Sequence, residues 1–151
     1  MTETETFPRA TLPAACAMPD IGFDLLLHDD DLCPETLGFD LHRVGRVGLL
    51  DTATGADPVV AFRRAALADT AARLGRTAEI ITPQTLGAWL SAGSTVVAPW
   101  APEGNNAAAL AGHSVVRIRR PWDDTVWPHC TRGFFQLRSR ITDFIATLDW
   151  T

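Results

Sequence analysis

Ile21-Gly-Phe-Asp-Leu-Leu-Leu-His-Asp-Asp-Asp-Leu-Cys33 decides how the chain folds. The apolar run from Phe23 to Leu27 stops abruptly at Asp29, Asp30 and Asp31. Apolar residues on both parities mean that both faces of the segment are covered, as in a central parallel strand. The three acids then sit just past its carboxyl end, where open α/β sheets place their ligands.

The remaining segments alternate around this strand. Pro34 and Glu35 open a short helix through Leu37. Residues 43–51 read as a second strand, since Gly45 and Gly48 would each cost a helix about 1 kcal/mol. Asp57, as N-cap acid, and Pro58 start a helix that runs to Leu74 and stops at Gly75, with Val60, Leu67, Ala71 and Leu74 on one stripe. Ala78–Ile81 is a third strand. Thr82-Pro83 caps a helix carrying Leu86, Trp89 and Leu90, and Thr95–Ala98 is a fourth strand bounded by Pro99. Pro102 and Glu103 suit the first turn of a helix ending before Gly112, and Ser114–Ile118 is the last strand. Thr131 caps a long final helix with Phe134, Leu137, Ile141, Phe144 or Ile145, and Leu148 on its apolar side.

Strand–helix alternation with short connections predicts one α/β domain over residues 19–151. It is a doubly wound, five-stranded parallel sheet of order 3-2-1-4-5 with helices on both faces. Residues 1–18, rich in Thr, Pro and Ala, read as a flexible tail.

Composition narrows the function. The chain has 151 residues, 46% hydrophobic and 21% charged, the mixture of a soluble globular protein. No apolar run approaches the roughly 20 residues that cross a bilayer, and the start lacks the features of a signal peptide. The expectation is a cytoplasmic protein with no membrane partner. A net charge of −5 argues against nonspecific nucleic-acid binding. Cys16, Cys33 and Cys130 are too few and too scattered for a disulfide framework or zinc knuckle. All 13 basic residues are arginine, and there is no tyrosine. That excludes Schiff-base lysines, a P-loop lysine and a tyrosine general acid. Neither a Gly-rich dinucleotide fingerprint nor a Gly-x-Ser-x-Gly elbow is present.

In this sheet order the loops after strands one and four flank the crevice. They are His28–Cys33 and Pro99–Asn106. The candidate ligand-binding residues are His28, Asp29, Trp100, Glu103, Gly104, Asn105 and Asn106, joined by Arg119 and Trp122 past the fifth strand. Trp100 and Trp122 fall in expected loops and can stack on a planar ligand, while helix-start amides and arginines take an anionic group. No catalytic or metal-ligating residue is assigned. The Asp29–Asp31 cluster admits an alternative, a small metal-dependent hydrolase or phosphatase, because carboxylates suit magnesium or calcium. An apolar strand delivering an Asp-x-Asp pair also resembles phosphotransferases of the haloacid dehalogenase type, but those use a downstream lysine that this chain lacks.

Arg119-Arg-Pro-Trp-Asp-Asp followed by Thr131-Arg-Gly-Phe-Phe135 resembles the end of the amino-terminal α/β domain of the photolyase/cryptochrome family. His28-Asp-Asp-Asp-Leu32 is similar to the family's Arg-Asp-Leu-Arg segment, with acids in place of its arginines. Val47-Gly-Leu-Leu-Asp51 is similar to its second strand and Phe62–Asp69 to the next helix. The resemblance spans residues 21–145 and has no counterpart of the family's helical, FAD-binding DNA-repair domain. It implies a stand-alone, Rossmann-like accessory domain that binds an antenna chromophore (a folate, deazaflavin or flavin) or a partner such as a separate flavoprotein or other subunit.

Overall fold

The computed structural model describes residues 16–130 and 137–147. The chain divides into two compact units. Cys16–Arg119 holds the whole sheet, and the described part of the other unit is residues 120–130 and 137–147.

The sheet contains β1 (Phe23–Leu27), β2 (Val44–Leu50), β3 (Ala78–Ile81), β4 (Val96–Pro99) and β5 (Val116–Ile118). All five strands are parallel and ordered β3-β2-β1-β4-β5, as the alternation predicts. Every residue of β1 is buried. Phe23, Leu25 and Leu27 belong to one core cluster with Leu67 and Ala71 of α1 (Asp57–Arg73) and with Leu74, the cap residue after it. Leu26 faces the opposite way, with Leu86 and Trp89 of α2 (Pro83–Ser91) and Leu110 of α3 (Gly104–Leu110). Helices therefore cover both faces. Leu25, Leu26, Val96 and Val97 are at most 3% exposed, in adjacent strands at the centre.

Helix ends follow local hydrogen bonding. α1 ends in a Schellman motif: Gly75 has φ of +64°, its N–H donates to Ala72, and Arg76 N–H donates to Ala71. Its start differs from expectation. The Ala56 carbonyl accepts from both Val59 and Val60, so Ala56 is the N-cap and Asp57 lies inside the first turn. There its charge still favours the positive end of the helix dipole. α3 also starts later than expected. Glu103 is extended and Gly104, with φ of +84°, opens the helix, so Pro102 and Glu103 are not its first turn.

The second unit departs further from expectation. The segment after Arg120 is a helix, α4 (Pro121–Val126), followed by a 3-10 turn over Trp127–His129. Asp123 reaches back to accept the Arg120 N–H at 3.3 Å, and proline suits the first turn because it has no N–H to satisfy. Of the expected long final helix, Thr131, Phe134 and Leu148 lie outside the described residues. Among the rest the helix is broken. Arg140 N–H turns back to Leu137 in a three-residue step, Ser139 and Arg140 form a turn, and α5 begins at Ile141 and runs to Thr147. No helix among the described residues is long and apolar enough to cross a membrane.

Candidate functional site

The reversal of winding falls between β1 and β4, as the sheet order requires. Side chains of the chain itself bridge the loops there. His28, the first residue past β1, is fully buried, and its Nε2 lies 3.0 Å from the Pro99 carbonyl at the end of β4. A carbonyl only accepts, so Nε2 donates here, and Nδ1 is buried with no hydrogen-bond partner among the described residues.

Asp29 is committed on both oxygens. Oδ1 accepts from Asn106 Nδ2 at 2.8 Å, and Oδ2 is paired with Arg63 of α1. Burial alone would push this carboxyl up. The hydrogen bonds from Arg63 and Asn106, with the Arg63 charge, outweigh burial and hold it below the usual carboxylate range. Arg63 is raised in turn, chiefly by its bond to Asp29. Asn106 is 1% exposed and its Oδ1 accepts from Thr52 Oγ1 at 2.6 Å, just beyond β2. Asn105 Nδ2 adds a 3.2 Å bond to Thr54. Asp51 accepts from Arg64 at 2.6 Å. The ends of β1, β2 and β4 are thus linked through α1 and α3.

The expected site residues separate into two sets. His28, Asp29 and Asn106 are brought together in this internal network. Trp100, Glu103, Gly104 and Asn105 reach the surface at least in part. The Trp100 backbone N–H donates to the Ile118 carbonyl at 2.8 Å, which places this residue where β4 and β5 end. The Arg119 guanidinium lies 5.0 Å from the centre of that indole. Trp122 belongs to the other unit and stands on α4, not in a loop, with the Arg120 guanidinium 5.8 Å from its ring. Asp30 is exposed, and Asp31 Oδ1 accepts from the Cys33 N–H. Among the described residues no group of three or more His, Cys, Asp or Glu is placed to hold a metal ion.

A second polar cluster, at the amino edge, was not anticipated from the sequence. Asp24 lies within the buried strand and accepts from the Arg46 side chain (3.0 and 2.8 Å), the Arg46 N–H (2.8 Å) and the Ser94 N–H (3.2 Å). Arg46 also donates to the Trp89 carbonyl and lies 4.4 Å from that indole's centre. Gly93 leaves the space this takes, since a Cβ there would overlap Arg46 Nη2 and Asp24 Oδ2. The signal was present: a lone acid inside a strand buried on both faces requires a partner. The cluster ties β1 to β2 and to the turn before β4, and its groups are spent on one another.

Compared with family models, with curated proteins and with solved structures, the chain finds no match among any of them.

Proposed function

We propose that this chain is a ligand-binding α/β module that takes a planar ligand bearing an anionic group at the carboxyl edge of its sheet. The observation that carries the reading is Arg119 over Trp100 at the ends of β4 and β5. The pair sets a fixed-charge fork over one face of a flat apolar ring, a combination that suits a ring system with an attached anion. The resemblance to the photolyase antenna domain narrows the ligand to a flavin, folate or deazaflavin, and gives the module an accessory role beside a separate flavoprotein. The bridged loops support the same reading, because a site whose walls are already fixed loses less entropy on binding.

A metal-dependent hydrolase built on Asp29–Asp31 finds less support, because both Asp29 oxygens already have protein partners. The test is fluorescence titration of the wild type with flavin mononucleotide, a reduced folate and a deazaflavin. One of the three should bind, and Arg119→Glu should weaken it by about ten- to a hundredfold, the worth of one charge-assisted hydrogen bond. If the folded wild type binds none of them, or Arg119→Glu binds equally well, the reading fails.

A further inference from the structure

His28 and Asp29 are consecutive, and both reach from the end of β1 to the segment that carries Trp100. Asp29 holds the far end of that segment through Asn106, and His28 holds its near end through the Pro99 carbonyl. The near end continues the sheet by other means. Asp24 N–H donates to the Thr95 carbonyl at 2.9 Å, and bonds of a parallel ladder recur at two-residue steps. Two steps on, the acceptor is Pro99 and the donor falls at residue 28. There β1 has ended at Leu27, and Asp31 N–H turns back to the His28 carbonyl. The donor that meets Pro99 is the imidazole, so a side chain supplies one further rung of the β1–β4 ladder. The Pro99 carbonyl and the Trp100 N–H belong to one planar peptide unit. Its oxygen accepts from His28, and its N–H donates to the Ile118 carbonyl of β5. The backbone entering Trp100 is therefore held on both polar atoms, from two sides.

We propose that His28 is the positioning residue of Trp100. Being fully buried, it touches no ligand. It acts by pinning the Pro99–Trp100 peptide, which sets where the indole stands beside Arg119. This role deepens the ligand-binding reading above and rests on it for its use, whereas the pinned peptide is present without a ligand. Pro99 is buried, so its carbonyl would be left unsatisfied if the imidazole were lost. The peptide then turns to relieve that cost, and the indole turns with it. Asp29 supplies the second strap, since Asn106 is 1% exposed and stands in the first turn of α3. Residues 100–105 are thus tied at both ends, and a segment so tied loses less entropy when a ligand stacks on it.

The chain contains two Pro–Trp steps, Pro99–Trp100 and Pro121–Trp122. Protein labelled with 13C in the proline carbonyl and 15N in tryptophan gives one carbonyl–amide NMR cross-peak for each, and the second is an internal control. His28→Asn places its amide where Nδ1 stood, short of Pro99. It should move the Pro99 carbonyl upfield and shift the indole N–H resonance of Trp100, assigned with Trp100→Phe. His28→Gln, whose amide reaches the Nε2 position, should leave both resonances near their wild-type places, and the Pro121–Trp122 peak should stay still throughout. In the ligand titration His28→Asn should weaken binding by about two- to tenfold, the worth of one neutral hydrogen bond, and His28→Gln should not. Resonances indifferent to His28→Asn, a His28→Gln protein displaced as far as His28→Asn, or full-strength binding by His28→Asn would each overturn the role. If His28→Asn does not fold, His28→Gln against wild type decides, because displaced resonances there are fatal. A wild type that binds none of the three ligands while the resonances move as stated removes the ligand and keeps the pinning.

Discussion

A carboxylate inside a strand buried on both faces keeps its charge only if partners replace the water it gave up. For Asp24, burial pushes the carboxyl up, but the Arg46 side chain, two backbone amides and the Arg46 charge outweigh it and leave it below the usual range. Asp29 is depressed for parallel reasons. A group depressed in the folded state adds stability above its unfolded pKa, near 4, and that part is lost as pH falls through the folded value. Urea unfolding at pH 7 and pH 3 should therefore show Asp24→Asn less stable than wild type at pH 7 and less sensitive to acid. Equal acid sensitivity would remove Asp24 from the account. Arg46→Leu should be worse at neutral pH, by about 3 kcal/mol, because it leaves the acid buried without its cation. Gly93→Ala should fall in the same class, since its new methyl displaces the pair.

At the scale of elements, β1 holds the two cores apart, and Leu26 reaches the side lined by α2 and α3. Leu26→Ala should cost about 2–5 kcal/mol in chemical denaturation. A loss well below 1 kcal/mol would mean that this side is loosely packed. β1 was readable because its apolar residues occupy both parities, which few helices of this length imitate. Helix starts were less so. Asp57-Pro58 looks like a cap and first residue, yet the cap role goes to Ala56, whose carbonyl takes the first two bonds. α4 was missed because Pro-Trp-Asp-Asp-Thr-Val carries no apolar period, and only the Asp123 return bond marks its start. For the candidate site, sheet order places the loops correctly at the strand ends. That those loops are bridged depends on pairs such as His28 with Pro99 and Asn106 with Asp29, 71 and 77 residues apart. No local pattern announces such pairs.

At the scale of the molecule, both core clusters lie wholly within Cys16–Arg119. A fragment of residues 16–119 should accordingly unfold in one cooperative thermal transition. A fragment that retains helix signal but melts without a transition would show that the remaining residues are needed to close the core. The central place of β1 has a consequence for synthesis. This strand is among the first parts of the sheet to leave the ribosome, and one of its two neighbours is β4, about 70 residues further along. At ~5–20 residues per second, that neighbour arrives roughly 4–14 s later. Throughout that interval Leu25, Leu26 and Leu27 have at least one open edge, and the side that Leu26 faces still waits for α3. The carboxylates of Asp29, Asp30 and Asp31 directly beside them are the kind of charged flank that keeps a nascent apolar strand from pairing with the wrong chain.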